Sequence, residues 1–177
     1  MEEKSKIKVL IDEKTLFSKV EELGSRITQD YKNKKPVLIA ILKGSFIFVA
    51  DICRFIKIPV IFDFMALSSY GNAKVSSGIV RITKDLDINI EGLDVIIIEG
   101  IIDSGRTLNY LIKNLEARNP KSIEICALLD KNVPRKTGNN IKYKGFEIPN
   151  KYVIGYGLDI GENFRNLSYI GYLESEE

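Results

Sequence analysis

The amino-acid sequence predicts an α/β fold, with a mostly parallel central sheet flanked by helices. Two observations carry that prediction. Apolar runs of strand length alternate with segments whose apolar residues recur every three or four positions. Near-continuous apolar runs of this kind belong to strands covered on both faces, which is the situation in a parallel sheet. The 177 residues, 45% of them hydrophobic, suit a single domain with a sizeable core.

The elements follow in order. Leu16, Val20, Leu23, Ile27 and Tyr31 mark one face of an amphipathic helix. Val37 to Leu42 is wholly apolar and reads as a buried strand. Lys43-Gly44-Ser45 interrupts it, and an apolar helix runs from Phe46 to Phe55 with Ser45 as its N-cap. Pro59 to Ala66 is a second strand. Ser68 to Ser77 is small, polar and glycine-bearing, a loop, and Gly78 to Ile82 returns as a strand. Asp94 to Glu99 is a third buried strand. Thr107 to Ala117 is a helix with Leu108, Leu111, Ile112 and Leu115 on one face, and Ser122 to Leu129 is a fourth strand. Short extended pieces at Tyr152 to Ile154 and Tyr169 to Leu173 add a small lobe or edge strands.

Composition narrows the chemistry. The net charge is +2, so bulk charge does not point to a nucleic acid or a membrane surface. The two cysteines, Cys53 and Cys126, lie in apolar stretches and read as buried, reduced thiols. No apolar run approaches the ~18 residues of a membrane span, and the start, Met1-Glu2-Glu3-Lys4, is polar and acidic. A cytoplasmic location is the expectation. There is no histidine, which excludes histidine metal sites and every triad built on an imidazole base. Proton transfer near neutral pH then falls to a carboxylate, lysine, tyrosine, thiol or water.

The richest segment is Val95 to Leu108, in which a buried strand runs through Glu99-Gly100-Ile101-Ile102-Asp103-Ser104-Gly105-Arg106-Thr107 into a helix. Unpaired N–H groups at a helix start suit a phosphate, and Ser104 and Thr107 add hydroxyl donors. No Gly-Lys-Ser/Thr follows, so it is not a Walker loop. On spacing alone, a phosphate cradle and an ordinary strand-to-helix turn capped by Ser104 or Thr107 stand about even.

The segment resembles the phosphoribosyl pyrophosphate (PRPP) motif of the type I phosphoribosyltransferases: two acids, two apolar residues, Asp-Ser/Thr-Gly, one variable residue, then Thr. With its surroundings, from about Leu10 to Leu173, the chain resembles the hypoxanthine and hypoxanthine-guanine branch of that family. The resemblance implies a single domain over residues 1–177, with a purine-binding hood formed by N- and C-terminal segments. It implies that Glu99, Asp103, Ser104, Gly105, Arg106 and Thr107 bind PRPP, Asp103 also holding or accepting the purine N7 proton. Lys43 and Gly44, after a non-proline cis peptide, and Arg165 would meet the pyrophosphate. Lys131 would donate to the purine 6-oxygen, Tyr152 would stack on the base, and the Val153 backbone and Asp159 would lie at its edge. Ser69 and Tyr70 would belong to a mobile lid. Magnesium would be the cofactor, with Glu99 and Asp159 near it.

The implied reaction moves the 5-phosphoribosyl group from PRPP to hypoxanthine, and to guanine, giving a nucleotide and pyrophosphate in purine salvage. A homodimer or homotetramer is the implied assembly, with no nucleic-acid or membrane partner. One position departs from the motif: Gly100 stands where the family generally carries its second acid. The expectation is a working but impaired enzyme. A PRPP-sensing regulator of the same fold and an enzyme preferring xanthine are the alternatives.

Overall fold

The apolar runs pair as strands and bury alternate side chains on two faces. The structure, a computed structural model, describes residues 7–69, 80–134 and 140–174. The elements are β1 (Ile7–Ile11), α1 (Glu13–Asp30), β2 (Val37–Leu42), α2 (Phe46–Phe55), β3 (Ile61–Ser69), β4 (Val80–Lys84) and β5 (Asp94–Ile102). They continue with α3 (Arg106–Glu116), β6 (Ser122–Lys131), β7 (Tyr143–Ile148), β8 (Val153–Ile154) and β9 (Ile170–Leu173).

Six strands form one sheet in the order β4-β3-β2-β5-β6-β7. All its pairings are parallel except β3 with β4. Leu38, Ala40, Ile96 and Ile98 pack with the apolar face of α1 and α2. Their chain neighbours Val37, Ile39, Ile41, Val95 and Ile97 pack with α3 on the other side. This alternation is the two-residue period of a strand, and it covers both faces of the sheet. The mostly parallel α/β architecture is therefore as the sequence predicts.

Several details differ from the sequence reading. β5 and β6 run on to Ile102 and Lys131 rather than stopping at Glu99 and Leu129, because Ile101 pairs with Leu129 and Ile102 with Asp130. β1 and β7 have no counterpart among the predicted elements. β7 adds a parallel edge to β6, and β1, β9 and β8 make a separate antiparallel sheet. Ser45 stands at the N-cap of α2 but makes no capping bond; its buried hydroxyl donates back to the Ile41 carbonyl at 2.7 Å. Cys126 is buried, whereas Cys53 is only partly so, on the outer part of α2. Among the described residues no helix is long and apolar enough to cross a membrane.

The topology decides where function can sit. Ligands of parallel α/β sheets bind beyond the C-terminal ends of the strands. β2, β5 and β6 lie side by side, so their ends bring Lys43, Asp103 and Lys131 to one rim.

Candidate active site

At the end of β5 the chain turns through Asp103, Ser104 and Gly105 into α3. Gly105 has φ +76° and ψ 0°, a left-handed conformation that glycine adopts at little steric cost. It is the N-cap residue of α3, and its carbonyl takes the first helical hydrogen bond, from the Asn109 N–H at 2.9 Å. No side chain caps the helix, so the sequence expectation of Ser104 or Thr107 in that role is corrected. A cavity of about 150 Å³ opens here, lined by Glu99 and by residues 103–107. A helix start with uncapped N–H groups beside an open cavity is a ready anion site.

Glu99 forms the inner wall. It is half-buried and accepts a hydrogen bond from the Gly100 N–H at 3.1 Å. Burial pushes its carboxyl up to about 8, which favours the neutral form. A neutral carboxyl can both donate to and accept from a sugar hydroxyl.

A second cavity of about 190 Å³ shares Asp103 with the first and is lined further by Lys131, Tyr152, Val153, Leu158 and Asp159. Lys131 Nζ donates to Asp103 Oδ2 at 3.0 Å. The lysine is 10% exposed and the aspartate 58%, so the acid stands at the mouth and the base at the wall. Tyr152 is 63% exposed, with its ring presented to solvent. Val153, the first residue of β8, is buried.

A third group of charges lies where the end of β2 meets the loop after β8. The peptide between Leu42 and Lys43 is cis. Lys43 Nζ donates to both carboxylate oxygens of Glu162, at 3.1 and 3.0 Å. Arg165 donates to Glu162 at 3.2 Å and to the Gly157 carbonyl at 2.8 Å, and forms an ion pair with Asp159 at 2.9 Å. Hydrogen bonds from Lys43, and next from Arg165, hold the Glu162 carboxyl below the ordinary carboxylate value. The loop is held in place by Tyr156, whose hydroxyl donates to Asp51 of α2 at 2.6 Å.

The structure thus gathers the residues singled out in the sequence from β2, β5, β6 and the loop around β8. The lid residues are the exception. Ser69 ends β3, and Tyr70 lies outside the described residues. Glu162, Asp51 and Tyr156 were not legible as site residues. A glutamate in a Gly-Glu-Asn turn carries no motif, and the Asp51–Tyr156 bond joins residues 105 apart in the chain.

A family model described as the phosphoribosyl transferase domain matches residues 8–160. A hypoxanthine phosphoribosyltransferase of Buchnera aphidicola is 51% identical over 170 residues, which is 95% of this chain and 96% of that protein. The chain belongs to the hypoxanthine phosphoribosyltransferase family. A hypoxanthine-guanine phosphoribosyltransferase of Bacillus subtilis is 50% identical over 167 residues, 94% of this chain and 93% of that one. A crystal structure of a hypoxanthine phosphoribosyltransferase from Staphylococcus aureus superposes with a TM-score of 0.91 at 42% identity, covering 97% of this chain and 94% of that chain. Members of this family are enzymes.

Membership implies magnesium, and the donors can be checked against it. Among the described residues no three metal-binding side chains gather into one group. Asp159 offers a carboxylate in the second cavity, and Glu99 a carboxyl in the first. Magnesium is commonly held by one or two carboxylates plus substrate phosphates rather than by an all-protein cage. Asp159 fits that pattern. Glu99, whose burial favours the neutral carboxyl, fits it as a carboxylate.

Proposed function

We propose that this phosphoribosyltransferase transfers the 5-phosphoribosyl group of PRPP to hypoxanthine, and to guanine, releasing pyrophosphate and giving IMP or GMP. The observation that carries the reading is the 3.0 Å pair of Lys131 and Asp103 in the second cavity, with Asp103 also lining the first. On a 6-oxopurine the 6-oxygen and N7–H are neighbours on one edge. An ammonium donor beside a carboxylate acceptor matches that edge. The 6-amino group of adenine would set a donor against a donor.

The 5′-phosphate would sit on the N–H groups at the start of α3, with the hydroxyls of Ser104 and Thr107 and the backbone of Gly105 and Arg106 around it. Glu99 would meet the ribose hydroxyls. The bond from ribose C1 to pyrophosphate oxygen breaks, and the bond from C1 to purine nitrogen forms. Positive charge on the sugar grows between those events, and the Asp103 carboxylate lies on the purine side of it while holding or taking the N7 proton. Tyr152 would stack on the base, and the Val153 backbone would meet its edge. Lys43, Gly44 and Arg165 would attend the departing pyrophosphate, whose oxygens suit a planar guanidinium. Magnesium, bound near Asp159 and substrate oxygens, would supply neutralisation of the pyrophosphate charge. Ser69 and Tyr70 would belong to the lid over this centre. A cytoplasmic homodimer or homotetramer is the form we expect.

A steady-state assay with PRPP, magnesium and each of hypoxanthine, guanine, xanthine and adenine tests the proposal. Turnover of hypoxanthine with none for adenine is the expected result. PRPP binding without turnover of any base would overturn it in favour of the regulatory reading.

A further inference from the structure

Glu162 lies outside every motif that marks the site, yet its carboxylate joins the two cations assigned to pyrophosphate. It accepts from Lys43 at 3.1 and 3.0 Å and from Arg165 at 3.2 Å. Its backbone is firmly held: φ is +67°, its N–H donates to Asp159 at 2.8 Å, and Ile160 and Asn163 pair on either side of it. Its side chain is not held so: Glu162 and Lys43 are each 65% exposed. Arg165 differs from Lys43. It is 19% exposed and is held also by Asp159 and by the Gly157 carbonyl. Its buried Nε has no hydrogen-bond partner among the described residues.

We propose that Glu162 is an internal counter-anion of the pyrophosphate site, a positioning residue that neutralises Lys43 and Arg165 in the free protein and gives way to pyrophosphate, free or carried on PRPP. This rests on the reading that puts Lys43 and Arg165 at the pyrophosphate. Asp159 faces Arg165 but forms no ion pair with Lys43, and the Glu162 carboxylate supplies the anion that faces both cations and offsets their mutual repulsion. Pyrophosphate on the same two cations would in turn repel the carboxylate. An exposed Glu–Lys pair is weak in water, so the exchange of one anion for the other costs little. The same carboxylate competes with product pyrophosphate for its binding groups and so favours release.

Isothermal titration of inorganic pyrophosphate into the full chain tests this. Glu162→Gln should tighten pyrophosphate by about two- to fivefold, the range of an exposed ion pair. Glu162→Asp, which keeps the charge with a shorter reach, should tighten it by less. Lys43→Ala should weaken pyrophosphate, and in that background the gain from Glu162→Gln should shrink. In turnover, inhibition by added pyrophosphate should strengthen in Glu162→Gln while KM for hypoxanthine stays put, a split that a merely structural role would not produce. If Lys43→Ala weakens pyrophosphate and neither Glu162 variant tightens it, the counter-anion is disproved and the site reading stands. If Lys43→Ala has no effect, the Lys43 ammonium does not hold pyrophosphate and the counter-anion is disproved, while a site built on the backbone of this loop stands.

Discussion

The carbonyl oxygen of Gly44 lies 2.8 Å from the point where a Cβ on Gly100 would stand. A Cβ on Gly157, at φ +99°, would come within 2.5 Å of the same oxygen. The loop that follows β2 is thus seated between two glycines, one on β5 and one in the loop after β8. The absent second acid at position 100 therefore has two consequences. On the proposed placement of the ribose, a carboxylate that could accept from its hydroxyl is missing, and the Gly44 carbonyl crowds the place a Cβ would take.

The two consequences can be separated by two variants. Gly100→Ala adds the Cβ alone and must push the Gly44 backbone, so kcat/KM for PRPP should fall below the parent while KM for hypoxanthine holds. Gly100→Asp adds the same displacement but gains a hydrogen bond of about 1–3 kcal/mol, so it should exceed Gly100→Ala by roughly 5- to 150-fold in kcat/KM for PRPP. The net effect of Gly100→Asp over the parent is then smaller than a missing hydrogen bond alone would predict. Equal kcat/KM for Gly100→Ala and the parent would show that the Gly44 seat is immaterial. Equal values for the alanine and aspartate variants would show that no ribose hydrogen bond is available there.

Asp103→Asn should lower kcat on hypoxanthine by about 10²–10⁴-fold, the usual contribution of a positioned acid–base group. The substitution keeps the shape of the loop before α3, so PRPP binding should change little. Single-turnover kinetics, where chemistry limits the rate, is the measurement. An unchanged rate would remove Asp103 from the proton transfer.

Much of this arrangement was legible in the sequence, and the exceptions have physical causes. β2, β5 and β6 announce themselves because both their faces are buried, which makes β2 apolar throughout and β5 and β6 apolar over most of their length. β1 and β7 do not, because they lie at sheet edges. Val9 is exposed, and in β7 only Tyr143 and Ile148 are buried while Lys144 and Glu147 pair with each other at the surface. In the site, the loop residues 103–107 are contiguous and so form a readable motif. The bridge from Lys43 through Glu162 to Arg165 depends on a left-handed turn that brings the chain back toward β2, and no local pattern encodes that return.

Lys131→Gln should cost on the order of 1.5–3 kcal/mol in kcat/KM for hypoxanthine, the range for a hydrogen bond to a charged group. Discrimination against adenine should weaken at the same time, because the glutamine amide can turn either its oxygen or its nitrogen to the base. The measurement is the ratio of kcat/KM for hypoxanthine and adenine in both proteins. If that ratio and the hypoxanthine value both hold, the ammonium serves only to pair with Asp103.

Glu99 makes the stability of the free protein depend on pH in a direction that can be worked out. Its carboxyl titrates near 4.5 when unfolded and is pushed up to about 8 by burial in the folded chain. Between those values the folded state keeps a proton that the unfolded state has lost. Stability from this group is therefore fully present below about pH 4.5 and is lost as pH rises toward about 8, with a slope of at most about 1.4 kcal/mol per pH unit. Glu99→Gln is neutral at every pH and lacks that slope. Urea unfolding in metal-free buffer, from about pH 5 to about pH 8, should show the variant gaining on the parent steadily as pH rises. Parallel curves would mean that Glu99 is already ionised in the folded protein. It would then be available as an anionic ligand for magnesium, and the neutral-carboxyl account of the ribose site would have to be abandoned.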